Sequence, residues 1–115
     1  MGVLRTKEAQ AIYEKHVADG MLDDGCPICK AEPIKSFQLW KIINNDFPYN
    51  LIAKTHHMLV PLRHVDESGL SEDERKELID IKNYHVHQFY EFIIESTKKK
   101  KSIPAHFHLH LLTIK

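Results

Sequence analysis

The sequence lacks any excess of charge and any long apolar run. Its 115 residues include 16 basic and 16 acidic side chains, so the formal net charge is zero with histidine neutral. This balance provides no overall positive field to attract a nucleic-acid polymer. No apolar run approaches the length of about 20 residues that a membrane-spanning helix needs, and the segment from Met1 to Ala11 lacks the apolar core of a signal peptide. These absences leave an ordinary globular protein of the cytoplasm as the expectation.

Cysteine is also scarce. The only two, Cys26 and Cys29, stand three positions apart and cannot make a disulfide framework. Hydrophobic and charged residues make up 43% and 28% of the chain, as in an average globular domain. We therefore expect a single domain over residues 1–115 in a reducing compartment.

Histidine, by contrast, is abundant, and three of the nine lie close together. His106, His108 and His110 alternate with apolar residues in the segment from Ile103 to Ile114. Alternation with period two predicts a strand whose imidazoles share one face. Three side chains with an ordinary pKa of about 6.5 suit metal ligation, nucleophilic attack on phosphorus or proton transfer. The plainer alternative is coincidence in a histidine-rich chain. The apolar partners, expected to enter a core, are Phe107, Leu109 and Leu111.

The two cysteines form a C-x-x-C motif in a predicted tight turn. In an intracellular protein such a motif is half of a metal site or a redox pair. A redox pair is expected at the start of a helix between strands, whereas a strand is predicted after this motif, so metal binding is favoured. Zinc would then need two more ligands. His64 and His106 are preferred because each lies at an end of a predicted β-element. Spacing alone leaves five rivals: His16, His56, His57, His85 and His87.

The other elements are predicted from apolar periodicity and capping residues. Ser71 and Glu74 form a capping box that opens a long helix. The helical period could continue to Ile94, but the β-branched residues there favour a strand at 91–96 beside the histidine segment. The remaining predictions are a helix from Val3 to Ala18 with Gly20 as its C-cap, a strand from Phe37 to Ile43, a loop from Asn44 to Thr55 and a strand from His56 to Pro61.

The order His-apolar-His-apolar-His-apolar-apolar resembles the signature of the histidine triad (HIT) nucleotide hydrolases and transferases. Zinc-containing members of that family look similar in their early C-x-x-C motif and in a His shortly after a strand that ends in Pro. The resemblance covers residues 24–113 and leaves an N-terminal helix, residues 1–20, as an extension. It implies an α+β, HIT-like fold in which an antiparallel sheet of about five strands carries one long helix and the N-terminal helix. It also implies a structural zinc held by Cys26, Cys29, His64 and His106.

The resemblance implies roles for the other candidates. His108, the middle histidine, would be the nucleophile that forms a covalent nucleotidyl intermediate, and His110 would contact the phosphate or the leaving group. Asn45 would hold the ribose hydroxyls, and His56 would brace the triad. The implied function is hydrolysis or nucleotidyl transfer at the α-phosphate of a nucleotide conjugate or dinucleoside polyphosphate, and relatives are often homodimers. Residues implied as walls for the base are Ile42, Ile43 or Phe47.

One segment departs from the family pattern. Most members precede the triad with a Gly-rich loop containing Gln that cradles the α-phosphate, but the segment from Lys98 to Pro104 contains neither residue. Ser102 and Lys101 remain as candidates for phosphate binding, and the stretch between His64 and His106 is shorter than usual. Two alternatives therefore stay open. One is a zinc-stabilised nucleotide-binding module without turnover. The other is an enzyme acting on nucleic-acid ends, for which only the lysine run argues.

Overall fold

The computed structural model describes residues 4–18, 26–97 and 105–115. Its helices are α1 (Lys7–Ala18), α2 (Pro27–Lys30), α3 (Glu72–Ile81) and α4 (His87–Phe89), with a 3-10 turn at Glu67–Gly69 and a π-helical segment at Lys82–Val86. Its strands are β1 (Lys35–Ser36), β2 (Trp40–Asn44), β3 (Ala53–Pro61), β4 (Phe92–Ile94) and β5 (Leu109–Ile114).

The five strands form one antiparallel sheet in the order β1-β2-β3-β5-β4. This arrangement confirms the predicted α+β class and the strand count. The strand predicted at 91–96 is confirmed as β4, which pairs with β5 through Phe92 opposite Leu112. In the register of β3 with β5, Met58 lies opposite His110.

One face of the sheet is covered by the long helix. The predicted capping box is present: the Ser71 side chain accepts from the Glu74 N–H, and the Glu74 carboxylate accepts from the Ser71 N–H. Helix α3, the π-helical segment and α4 follow one another without a break from Glu72 to Phe89. The core beneath them contains the three predicted apolar partners of the triad. Its fully buried members are Trp40, Ile42, Leu59, Leu70, Ile81, Val86, Phe107, Leu109 and Leu111.

The opposite face of the sheet carries the polar residues of interest. Side chains alternate across a strand, so His56 and Met58 on β3 and His110 on β5 lie on the face away from the helix. A second, smaller apolar cluster forms there from Ile28, Ile43 and Val60. Helix α2 packs on this face and brings the C-x-x-C motif towards the triad.

Two predicted strand boundaries are wrong, and each error has a local cause. The segment predicted as a strand from Phe37 is a hairpin turn up to Leu39, because the Phe37 N–H donates to the Trp40 carbonyl and the Glu77 carboxylate accepts from the Leu39 N–H. Strand β5 begins at Leu109, because the Phe107 N–H donates to the Val65 carbonyl, outside the ladder, and the start predicted at Ile103 lies outside the described residues.

The starts of β3 and α1 also differ from the predicted ones. Strand β3 begins at Ala53, three residues before the prediction, and α1 begins at Lys7, whereas its predicted start, Val3, lies outside the described residues. The predicted C-cap Gly20 lies outside the described residues. No helix in the part of the chain described is long and apolar enough to cross a membrane.

Candidate active site and metal site

Four side chains converge as a candidate metal site. Cys26, Cys29, His64 and His106 each offer one ligand atom, and these atoms all lie within 4.8 Å of one another. Cys26 Sγ lies 3.5 Å from His106 Nδ1, and Cys29 Sγ lies 3.3 Å from the Nδ1 atoms of both His64 and His106. In a tetrahedral zinc site with bonds of about 2.0–2.3 Å, the sulfur-to-nitrogen separation is about 3.5 Å. The observed spacing therefore fits a metal ion at the centre of the cluster.

His106 is oriented for ligation through Nδ1. Its Nε2–H donates to the Pro61 carbonyl at 2.9 Å, and a carbonyl can only accept, so the proton is on Nε2 and the lone pair is on Nδ1. A ligand histidine is held in this way by the partner of its other nitrogen. Burial also lowers the pKa of His106, which favours the neutral form that binds metals.

The backbone around the cluster explains how distant residues meet there. Pro27 begins helix α2 directly after Cys26, and the Lys41 ammonium donates to the Ala31 carbonyl at 2.8 Å, which ties the end of α2 to β2. Next to His64, Arg63 pairs with the Glu74 carboxylate at 2.6 Å. Strand β3 and helix α3 thus hold one side of the site.

The C-x-x-C motif differs from the sequence expectation in one respect. It begins a one-turn helix, α2, and not a plain turn. A redox pair of cysteines is typical of a helix start. Here, however, two imidazole nitrogens lie beside the sulfurs and complete a Cys₂His₂ ligand set, which favours metal binding. These four residues could hold a metal ion, as the sequence predicted.

His108 is held as one tautomer. Its Nδ1–H donates to the His106 carbonyl at 2.9 Å, so in the neutral ring the lone pair is on Nε2. The side chain is only 3% exposed and lines a cleft of about 200 Å³ together with His110. The rings of His108 and His110 meet edge to face with centroids 5.3 Å apart. The cleft therefore contains an oriented imidazole beside a second one.

A chain of hydrogen bonds sets the tautomer of His110. The Tyr49 backbone N–H donates to His56 Nδ1 at 3.0 Å, so the proton of His56 is on Nε2. That Nε2–H donates to His110 Nδ1 at 2.7 Å, which leaves the proton of His110 on Nε2, 3.3 Å from the Tyr49 hydroxyl. Asn45 Nδ2 lies 3.1 Å from His56 Nε2. Because both nitrogens then carry hydrogen, neither accepts a hydrogen bond from the other, and this contact does not help to hold the ring.

His56 and His110, the two histidines in this series of hydrogen bonds, are neutral at physiological pH. Burial, with nearby Arg5 and His57, lowers the pKa of His56 to about 4. Burial, with the neighbouring histidines and Arg5, lowers the pKa of His110 to about 3. His110 therefore offers an N–H donor to the cleft and not a positive charge.

The other candidate residues have different outcomes. Asn45 lines the cleft, and its Oδ1 accepts from the Phe47 N–H at 2.8 Å as a turn residue does. Ile43 and Phe47 also line the cleft, whereas Ile42 is buried in the core on the helix side of the sheet. Ser102, Lys101 and the rest of the lysine run lie outside the described residues.

Four aromatic or basic residues of the cleft were given no role in the cleft by the sequence. Helix α1 and the segment before it contribute Arg5, Tyr13 and His16, and the loop before β3 contributes Tyr49. The rings of Tyr13 and His16 lie 5.2 and 5.1 Å from that of Phe47, centroid to centroid. Only Tyr49 belongs to the segment that carried the family resemblance, and no motif marks the other three.

Three of the rival histidines lie away from the metal cluster. His57 is on the helix side of the sheet, with Nδ1 2.7 Å from the Tyr90 hydroxyl. The His85 ring packs against Phe37 and Phe89. His87 is exposed on α4. None of the three shares the cleft with His108.

The fold and the two sites together define an α+β protein with an imidazole-lined cleft beside a Cys/His cluster. No protein-family model matches the sequence, and no curated protein matches it significantly. A HIT family hydrolase from Legionella pneumophila Philadelphia 1 is similar in structure, with a TM-score of 0.56, 18% sequence identity and coverage of 77% of this chain and 92% of that one. A HIT family hydrolase from Clostridium thermocellum, Cth-393, is similar with a TM-score of 0.56, 20% identity and coverage of 77% and 90%. The chain has the fold of these HIT family hydrolases, as its histidine motif implied.

Proposed function

We propose that this protein is a nucleotide-phosphate hydrolase or nucleotidyl transferase that acts on the α-phosphate of a nucleotide conjugate or dinucleoside polyphosphate. The observation that carries the proposal is the state of His108. Its Nδ1–H is bound to the His106 carbonyl, so that Nε2 carries the lone pair whenever the ring is neutral, and the side chain lines the cleft beside His110. A neutral imidazole with a fixed lone pair is a good nucleophile toward phosphorus. The structural likeness to two HIT family hydrolases supports the same class.

The reaction has two displacements at phosphorus. Nε2 of His108 attacks the α-phosphorus, the bond to the leaving group breaks, and the leaving atom keeps the electron pair. The His108 ring then carries a positive charge, stabilised by the carbonyl that accepts from its Nδ1–H. Water attacks the same phosphorus, the P–N bond breaks, its electrons return to His108, and a proton from the water passes to solvent. With another acceptor in place of water, the outcome is transfer.

His110 binds phosphate through a hydrogen bond. Its Nε2–H, which lies 3.3 Å from the Tyr49 hydroxyl, would donate instead to a phosphate oxygen as negative charge develops there. Asn45 is proposed for the ribose hydroxyls, since it lines the same cleft. Ser102 and Lys101 are proposed for the phosphate from the sequence alone. Ile43 and Phe47 offer an apolar wall for the base.

The metal is proposed to be zinc, with a structural role. Cys26, Cys29, His64 and His106 supply four protein ligands, which closes a tetrahedral site and leaves no position for substrate. When bound, zinc contributes folding free energy and no chemistry on the substrate. His106 links the two sites, since its carbonyl accepts the hydrogen bond that orients His108. A firmly held His106 therefore keeps the nucleophile in place.

Substitution of His108 tests the proposal. His108→Ala should lower turnover of a nucleotide phosphoester or phosphoanhydride by about a thousandfold or more, with a much smaller change in KM, because the lost interaction belongs to the transition state. His87→Ala is the matched control, since His87 is exposed and far from the cleft lining. Nearly full activity in His108→Ala would reject the proposal.

The binding-module alternative predicts a different pattern. In that case wild-type protein would bind nucleotide but turn none over, and His108→Ala would only weaken binding. We also propose a cytoplasmic location and assembly as a homodimer, as the family resemblance implied. Sedimentation velocity would test the homodimer, and a monomer at micromolar concentration would reject it.

A further inference from the structure

Arg5 contacts two aromatic rings that line the active-site cleft. Its guanidinium carbon is 4.5 Å from the ring centroid of Tyr13 and 5.0 Å from that of Tyr49, which is the geometry of a cation–π contact with each ring. The Tyr49 ring centroid is in turn 5.0 Å from that of His110. One continuous stack therefore joins Arg5, outside the triad motif, to the triad.

Hydrogen bonds fix Arg5 in this position. Its Nε donates to the Phe47 carbonyl at 2.9 Å, and its Nη1 donates to the Gln10 side chain at 3.2 Å. The next residue, Thr6, donates its N–H to Asn50 Oδ1 at 2.8 Å. A guanidinium has five N–H groups, and these bonds within the described residues use two of them. The other three can bind an anion without moving the side chain.

Arg5 also gives the cleft its charge. Among the described residues that line it, Arg5 is the one side chain with a permanent positive charge, because guanidinium does not deprotonate in proteins. The one carboxylate in that lining is Asp46, which accepts from Asn44 at 3.2 Å. His110 adds a neutral donor and no charge of its own.

We propose that Arg5 is a substrate-binding residue that contacts the phosphate of the departing group and selects anionic leaving groups. This inference rests on the proposed function. When His108 attacks the α-phosphorus, a phosphate leaving group keeps the electron pair and gains negative charge, which Arg5 neutralises. An amine leaving group instead takes a proton from water and departs neutral, so Arg5 does nothing for it. The preferred substrate class is a phosphoanhydride, and phosphoramidates are disfavoured.

A binding measurement tests Arg5 without any turnover. In a His108→Ala background, ADP should bind about 10- to 100-fold more tightly than AMP, the range of one charge-assisted hydrogen-bond pair. Arg5→Met should remove that difference, while Arg5→Lys should keep part of it because the charge remains. Lys7→Met is the matched control, since it removes the same charge from an exposed position outside the cleft lining. The pair GDP and GMP repeats the test with another base.

Kinetic measurements on two substrates with different leaving groups distinguish a substrate-binding role of Arg5 from a structural role. With His108 present, Arg5→Met should lower kcat/KM for ADP by about 10- to 100-fold and for adenosine 5′-phosphoramidate far less. Equal losses for both substrates, or no preference of the Arg5-containing protein for the diphosphate, would overturn the inference. Absence of turnover with every substrate would reject the proposed function instead, and the binding preference for ADP would still decide the role of Arg5.

Discussion

The histidines of the two candidate sites differ in tautomer because their neighbours differ. His106 carries its proton on Nε2 and His108 on Nδ1, since each of those nitrogens faces a backbone carbonyl. His110 receives its tautomer from His56, which a backbone N–H orients. The spacing in the sequence predicted that His106, His108 and His110 belong to one site, and the structure brings His108 and His110 to one cleft and His106 to the Cys/His cluster beside it. The sequence contained no information on tautomers, which depend on carbonyls up to 45 residues away.

The burial of His56 and His110 predicts how the stability of the protein depends on pH. Both pKa values are lower in the folded protein than the ordinary value of about 6.5, at about 4 and about 3. The unfolded chain therefore takes up protons first as pH falls, and stability is lost from about pH 6.5 downwards. Each histidine should contribute a slope of up to about 1.4 kcal/mol per pH unit.

Urea unfolding of His110→Asn between about pH 7 and pH 5 measures this contribution. The dependence of the unfolding free energy on pH should become shallower by up to about 1.4 kcal/mol per unit. His87→Asn, at an exposed position on α4, should leave the slope unchanged. Metal release at low pH affects wild type and both variants alike, so the differences between them are informative. A slope in His110→Asn equal to that of wild type would contradict the prediction.

At the scale of elements, short segments of α2, β3 and β5 create both sites. Helix α2 presents the two sulfurs, the end of β3 leads to His64, and the turn before β5 presents His106 and His108. Period-two alternation predicted which side chains of this turn enter the core, and burial confirms it for Phe107. The strand boundary was wrong because one long-range bond, from the Phe107 N–H to the Val65 carbonyl, takes this backbone out of the ladder.

A structural zinc site predicts both the metal content of the protein and a loss of stability when a ligand is replaced. Protein purified without chelator should contain one zinc per chain, by elemental analysis. Cys26→Ser should lower the free energy of unfolding by more than about 4 kcal/mol, the range in which loss of a metal falls, because the ligand set joins three separate elements. Activity per folded molecule should change far less.

A chelator provides the control for the zinc prediction. It should destabilise wild-type protein to about the level of the variant and leave Cys26→Ser itself unchanged, since the variant has no complete site to lose. Purified wild-type protein without zinc, or equal stability of wild type and Cys26→Ser, would show that the cluster is not a structural zinc site.

At the scale of the whole molecule, the main core and the cleft lie on opposite faces of the sheet. The helix-covered face buries Trp40 and Leu59 in the main core, and the other face carries His108, His110 and the cleft. The fold class was implied by the family resemblance, and local patterns predicted that β4 lies beside β5. The packing of α1 against the cleft was not, because it depends on contacts such as Thr6 with Asn50, 44 residues apart. A single domain over 1–115 stays a prediction.

The most direct test of the account is the mass of the intact protein after brief incubation with a nucleotide substrate, kept at neutral or alkaline pH. The account predicts that wild-type protein gains one nucleoside monophosphoryl group, that His87→Ala gains the same group, and that His108→Ala gains none. Turnover by wild-type protein without any adduct in rapidly quenched samples, or an adduct that persists in His108→Ala, would contradict a covalent intermediate on His108.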